Sequence, residues 1–432
     1  MHLARQLLCT LVLASSAFAG EASPVSAGVG RVDITPAEAV VLAGSPSPKK
    51  ASEVKTRLYV RALVLAQGRT KMAIVTLDTL KFPVDLANRA RAKVEQATGI
   101  PASNVVICAS HTHFGPLWSY YPDKLATPIA DAVAQAAQDL QPCTLGTAQG
   151  TADGVSQCRR VIKDGHAWNR WQLPLDEAQK LPAEGDYDPA FDVLAVTRQD
   201  GTLKTVLYNF ACHAAATRTP VISADYPGEV EEELQHKLGR AVPAMFLTGA
   251  CGDVNPVPGL RGTLMGVTIG DEIARCLDRL QPVATPALAI DCHEFPMPGR
   301  EHPVFNEAEV ARNWPGQLEH YRKAYEDMKK REKPTYQYFI TGIRISDDFA
   351  IVTNANELFC GIGLSIKHRS PFKSTMTVEQ TNGAHGYVPT EKAFAGGSYE
   401  TWYGEHSYLS TQAGGIIERE SLELLNRLKH LP

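Results

Sequence analysis

The sequence predicts an α/β fold in which mixed parallel and antiparallel sheets are covered by helices. Three observations predict it. Pairs of apolar runs joined by short polar turns occur three times, and each pair leads into a helical stretch. Several runs stop just before a residue able to bind a metal: His111 after Val105-Val106-Ile107-Cys108, His213 after Thr205-Val206-Leu207-Tyr208, and Glu357 after Ala350-Ile351-Val352-Thr353. Open α/β sheets hold their ligands beyond such strand carboxyl ends. Finally, 432 residues with 44% apolar and 7% aromatic side chains have the composition of an ordinary globular protein.

Taken in order, residues 1–19 read as a signal peptide. Arg5 is the basic end, Leu7 to Val12 the apolar centre, and Ala17-Phe18-Ala19 the small-residue cleavage site. The apolar stretch is too short to span a bilayer, and no later segment is long enough. The expectation is an exported protein, periplasmic or secreted, whose mature chain of residues 20–432 forms one domain. Loss of Arg5 moves the formal net charge from −4 to about −5. Such a surface gives no electrostatic reason to expect nucleic acid or an anionic membrane as partner. Oligomeric state is unreadable.

The first unit is the run 57–66, the turn Gln67-Gly68-Arg69-Thr70, the run 71–77 and a helix over 84–98 ended by Gly99 and Pro101. The second is the run 192–198, the turn Asp200-Gly201, the run 203–208 and a helix from about 228 to 238. The third is the run 336–345, the turn Asp347-Asp348, the run 349–353 and a helix over 358–367. The charged segment 301–334 predicts one long exposed helix, inserted in the domain, and a last helix spans about 411–428. Eight cysteines follow the signal. None has CxxC zinc spacing, and Cys143 with Cys292 is the pair expected to bridge if any does.

Two imidazoles and a carboxylate delivered by three strand ends form the donor set of a catalytic zinc site with its fourth position open or weakly held. His111 and His113, spaced i and i+2, would share a side if both lay in the strand. Both could bind one ion, or one could bind while the other handles protons. In FLTGACGDVNP (246–256) the glycines would let backbone N–H groups approach a ligand, and Asn255 could join them around an oxyanion. An Asx turn joining strand to helix is the plainer reading. Asp253 would fix that loop. SADYPGEVEEEL (223–234) brings glutamates that read as a solvated first helical turn. Cys158-Arg159-Arg160 offers a guanidinium for an anionic group, or a surface ion pair. TNGAHGYVPT (381–390) contributes His385 and Tyr387, the latter a possible weak fourth ligand.

These fragments resemble the amino-terminal catalytic region of the neutral ceramidase family. The resemblance runs from GVGRVDITP (28–36) through HTHFGP, NFACHA, SADYPG, TGACGDVNP and GYVPT to Gly396-Gly397-Ser398-Tyr399-Glu400. It implies one zinc ion per chain, held by His111, His213, Glu357 and Tyr387, with His113 and Arg159 lining the site. Where the family carries GDVSPN, this chain has GDVNPV, so Asn255 stands in the place of a serine. The family also carries a carboxy-terminal β-sandwich domain for which this chain leaves no room.

The expected function is that of an exported zinc-dependent hydrolase cleaving an amide or ester bond with metal-activated water. His113 would transfer the proton, and Arg159, Asn255 and Asp253 would shape the site around a small-molecule or lipid-like substrate. Alternatives are a true ceramidase acting on N-acyl sphingoid lipids, a non-catalytic binding relative, and a two-metal barrel, which the hairpins disfavour.

Overall fold

The computed structural model describes residues 23–44, 49–121 and 125–431, so the expected signal peptide lies outside the described residues. The larger sheet is built from β1 (Ser26–Asp33), β2 (Tyr59–Gln67), β3 (Thr70–Leu77), β4 (Val105–Ala109), β5 (Gln141–Thr151), β6 (Ala190–Arg198), β7 (Leu203–Phe210) and β8 (Ala244–Thr248). Their spatial order is β8-β7-β6-β5-β1-β2-β3-β4, with Gln281–Pro282 beside β5. A smaller sheet contains β9 (Pro286–Pro298), β10 (Thr335–Ser346), β11 (Phe349–Thr353) and β13 (Ser374–Val378) in that order, and β12 (Glu357–Leu358) pairs in parallel with β14 (Tyr387–Val388).

Each hairpin unit read from the sequence proves to be the first part of a crossover. After β3 the chain runs through α1 (Val84–Thr98) and returns parallel as β4; the helix α2 (Ala126–Gln138) follows. After β7 it runs through α3 (Tyr226–Leu238) and returns parallel as β8, before α4 (Gly262–Asp278). Past the charged helices α5 (Glu307–Asn313) and α6 (Leu318–Lys329), β11 leads through α7 (Cys360–Arg369) to parallel β13, and α8 (Ala413–Lys429) ends the chain. Parallel strands need such long connections, whereas the antiparallel neighbours close with short turns.

Both faces of the strands are buried, so alternate residues feed different cores. Val60, Ala62 and Val64 of β2 pack towards α1 and α2. Leu63 and Leu65 point the other way, against Ile343, Ile351 and Met376 of the smaller sheet. The outer face of that sheet is covered by α8 through Leu424, Leu425 and Leu428. Helices, larger sheet, smaller sheet and helices thus form four layers.

The segment 379–382 then draws the edges together. Glu379 N donates to Thr248 O (2.8 Å), Ala109 N to Gln380 O (3.0 Å) and Asn382 N to Ile107 O (2.8 Å). Thr248 Oγ1 also donates to Ala109 O at 2.7 Å. The carboxyl ends of β4 and β8, from opposite edges of one sheet, are thereby brought beside β13.

Several expectations are corrected. The segment 301–334 holds two helices, α5 and α6, because Pro315-Gly316 interrupts the run. Cys143 and Cys292 are both free: the Cys143 thiol reaches Val25 O in the larger sheet, and Cys292 sits on β9 in the smaller one. The glutamates of SADYPGEVEEEL are only partly solvated. Glu231 is buried between Arg61 and Arg31 (2.7 Å to each), and Glu229 is buried facing Lys55 (2.5 Å). Among the described residues no helix is long and apolar enough to cross a membrane.

Candidate functional site

His111 lies two residues beyond β4, His213 three beyond β7, and Glu357 four beyond β11 on β12. His111 and His113 are therefore both outside the strand, not on one face of it. His111 takes a left-handed backbone (φ 58°), which turns its ring back over the sheet end. The three imidazoles nevertheless cluster. Ring centroids are 4.6 Å apart for His111–His213, 5.1 Å for His111–His113 and 5.5 Å for His113–His213.

Every one of these rings ties its Nδ1 to a backbone carbonyl. His111 bonds Leu80 O (2.8 Å), His113 bonds Gly44 O (3.0 Å), and His213 bonds Cys251 O (2.8 Å) and Val254 O (3.1 Å). A carbonyl can only accept, so Nδ1 carries the proton and each Nε2 keeps its lone pair. His111 Nε2 is 3.5 Å and His213 Nε2 3.6 Å from Glu357 Oε2. Two ligands at about 2.1 Å from a tetrahedral ion are separated by roughly 3.4 Å. His111 Nε2, His113 Nε2 and Glu357 Oε2 are buried and make no hydrogen bond. Such orphaned acceptors are costly unless something cationic binds them. The donor set, its spacing and its missing partners all fit a divalent ion.

Protonation agrees. Burial holds the His213 imidazole down at about 4, with the Arg159 guanidinium adding to the effect. Burial and the two neighbouring imidazoles keep His113 well below its usual value. Burial alone would raise the Glu357 carboxyl, but His111 and His213 hold it well below the ordinary carboxylate range. Neutral imidazoles at His113 and His213 beside an ionised Glu357 are forms a metal needs.

Around this centre the chain is heavily braced. Residues 357 and 387 are direct partners in the parallel β12–β14 pair, which sets the Tyr387 side chain beside Glu357. Its hydroxyl lies 3.4 Å from that of Tyr399. Arg159 is buried, not a surface ion-pair member. Its Nε donates to Glu400 Oε1 (3.0 Å), and its Nη1 stands 3.1 Å from both Asn255 Oδ1 and His213 Nε2. The neighbouring Arg160 takes the other Glu400 oxygen (2.6 Å). Asp253 fixes its loop as expected from the sequence: Oδ1 accepts from Cys360 N (2.7 Å) at the start of α7, and its backbone carbonyl accepts from Arg159 N (2.8 Å). Burial pushes its carboxyl up to about 7.

The glycines of TGACGDVNP do something other than expose amides to a ligand. Gly249 N donates to Phe210 O (3.0 Å), Gly252 N to Leu358 O (2.7 Å) and Val254 N to Cys251 O (2.9 Å), while Cys251 N donates to Glu379 Oε2 (3.1 Å). These four amides are spent inside the fold and are not offered to an oxyanion. Close chain approach is what the glycines permit: a Cβ at residue 252 would lie 2.6 Å from Glu357 O.

Sequence reasoning missed Glu379, whose carboxyl accepts from Cys251 N and from Leu358 N (2.8 Å) and so joins the loops of His213 and Glu357. It also missed Lys81, Trp171, Trp314, His320, Tyr321, Glu405 and His406, which line the same cavity of about 420 Å³ as His111, His213 and Tyr387. His385 stays outside that lining, with its Nδ1 2.9 Å from Tyr408 Oη. Only Tyr399 and Glu400 had a signal, as part of the GGSYE fragment.

No protein-family model matches the chain. Neutral ceramidase of Pseudomonas aeruginosa is 23% identical over 275 residues, which is 58% of this chain and 40% of that protein. The match therefore spans less than half the length of that relative. A crystal structure of neutral ceramidase from Pseudomonas aeruginosa superposes with a TM-score of 0.75 at 17% identity, covering 95% of this chain and 75% of that one. A ceramidase complexed with C2 gives 0.74 at 17% identity, covering 94% and 75%. By sequence and by fold, this chain is similar to the neutral ceramidases.

Proposed function

We propose that the chain is a zinc-dependent hydrolase that cleaves an amide or ester bond with activated water. The observation that carries this reading is the set of inward-facing Nε2 atoms, each fixed by an Nδ1–carbonyl bond, around Glu357 Oε2. His111, His213 and Glu357 would hold the ion, with Tyr387 completing the set. When bound there, zinc supplies Lewis acidity that polarises a carbonyl and acidifies water. The remaining work belongs to the chain. Arg159 presents its guanidinium to the developing oxyanion, with Asn255 orienting it. His113 brings an unpaired Nε2 to the same centre, where it would accept the proton released by the attacking water and pass it to the leaving group. Trp171, Trp314 and Tyr321 narrow the cavity and exclude water. The basic, apolar and small-residue order of residues 1–19 supports action after export.

Within this class, an N-acyl lipid amide is favoured by one observation besides the relative's name. A second cleft, of about 830 Å³, shares Lys81 and Glu405 with the first; Phe82, Trp118, Met328 and Tyr336 form an apolar stretch of its wall, and the charged run Lys330 to Lys333 lines another part. The apolar stretch suits an apolar arm.

The test is metal analysis joined to a panel of amides, esters, lactones and N-acyl sphingoid lipids. One tightly held zinc is expected, with turnover lost to a chelator and regained on zinc addition. His213→Ala should abolish both. His113→Gln should keep the zinc and lower kcat by about 10²–10⁴-fold. Zinc binding without hydrolysis of any substrate would make the chain a binding protein and end the enzymatic reading.

A further inference from the structure

Outside the cage just described, a second group of ligand-type side chains faces the same cavity. The ligand atoms of His320, Glu405 and His406 lie within 4.8 Å of one another. His320 is the third residue of α6, in the charged helical segment. Glu405 and His406 stand on the loop between β14 and α8, some 85 residues further on. Among the described residues none of the three side chains makes a hydrogen bond. His406 Nε2 stands 3.8 Å from Glu405 Oε1. Ion-pairing and hydrogen bonding elsewhere have therefore not committed these donors.

We propose that His320, Glu405 and His406 form a second, weaker site for a divalent transition-metal ion at the mouth of the catalytic cavity. Two imidazoles and one carboxylate suit zinc, copper or nickel, whereas magnesium and calcium prefer oxygen ligands throughout. Two features make the site weaker than the cage. His320 and Glu405 are exposed, so their ordering costs side-chain entropy. No second-shell acceptor fixes either imidazole, and loss of such partners costs about 10–100-fold in metal affinity. Lys81, in the same wall, adds repulsion.

Occupation would have two consequences. It would tie α6 to the 405–406 loop, joining elements otherwise brought together only by packing. Because Glu405 lines both the catalytic cavity and the second cleft, the ion would also obstruct the boundary between them. Excess zinc should then inhibit hydrolysis, a consequence that rests on the proposed function, whereas the site itself does not.

The experiment is zinc titration of the full chain against a chromophoric chelator, with cobalt absorption as a second readout and calcium as the negative control. The wild type should bind two equivalents of zinc differing at least 10-fold in affinity. His320→Ala and Glu405→Gln, both on exposed side chains, should each remove the weaker equivalent and keep the tighter. His213→Ala should do the reverse. A single equivalent in the wild type, or a weak equivalent that survives both His320→Ala and Glu405→Gln, overturns the proposal. If His213→Ala leaves metal content unchanged while His320→Ala lowers it, the cage reading fails and the second site stands.

Discussion

Replacing Gly252 by Ala adds one methyl group against the backbone that carries Glu357. The added Cβ would stand 2.6 Å from Glu357 O and 3.0 Å from the carbonyl carbons of Glu357 and Leu358, all backbone atoms. Ordinary contact begins near 3.4 Å, so the Glu357 peptide must retreat by about 0.8 Å. Residue 252 has no positive φ, so the clash alone is at stake. Retreat also stretches the Gly252 N to Leu358 O bond of 2.7 Å. The stability cost of such overpacking is about 1–3 kcal/mol. The functional cost is larger, because a ligand displaced by most of an ångström loses about 10²-fold in rate. Zinc affinity by chelator competition should fall at least 10-fold, with a lowered urea midpoint and kcat/KM down by about 10²-fold. Gly415→Ala is the control: nothing lies within 4 Å of its Cβ position in α8, so the change should leave zinc affinity intact and stabilise the helix slightly. Wild-type zinc affinity in a folded Gly252→Ala protein would refute the view that this close approach positions Glu357.

Three further outcomes are expected. Burial holds His213 and His385 at about 4, below the ordinary 6.5, so between those values the unfolded chain binds more protons than the native one. The metal-free protein should thus lose stability as pH falls from about 6.5 towards about 4, read as a falling urea midpoint, and His385→Gln should flatten part of that decline. Burial and the neighbouring Glu357 drive the Glu379 carboxyl well above the usual carboxylate range, which favours its neutral form. Glu379→Gln should keep its thermal midpoint and zinc affinity, whereas Glu379→Leu strands Cys251 N and Leu358 N and should cost about 1–3 kcal/mol for each. Asn255→Ser shortens the side chain that accepts from Arg159; zinc content should hold while rates shift on at least one substrate, and unchanged rates on all of them would remove Asn255 from the mechanism.

Local patterns made the strand ends legible. An apolar run stopping at HTH, at ACH or at NEL announces where a side chain leaves the sheet. Neither the partners nor the directions are announced. Glu231 looks like a solvated helical acid until Arg61, 170 residues earlier in the chain, is placed against it. Arg159 reads as a surface charge because Glu400, 241 residues later, supplies the burial and the compensation. His111 and His113 would share a face only inside the strand; beyond it, the left-handed turn at His111 achieves convergence by another route. His320 and His406 lie in stretches with no strand-end pattern at all, so only the fold brings them to the cavity.

The two metal-type clusters differ in one physical respect that ranks them. In the cage, three Nδ1 atoms are held by carbonyls of Leu80, Gly44, Cys251 and Val254, and the 251–254 loop is itself pinned by Glu379 and Asp253. The entropy of orienting those rings was lost on folding, so it need not be lost again on binding. His320 and His406 have no such acceptors and must be ordered by the ion itself. Preorganisation rather than ligand identity would therefore make the first a site of tight retention and the second one that responds to the free metal level. Giving His320 a carbonyl-like acceptor, for example by an Asn or Gln placed beside its ring, should tighten the weaker site without altering the stronger. Tightening of both together would show that the two are one coupled centre.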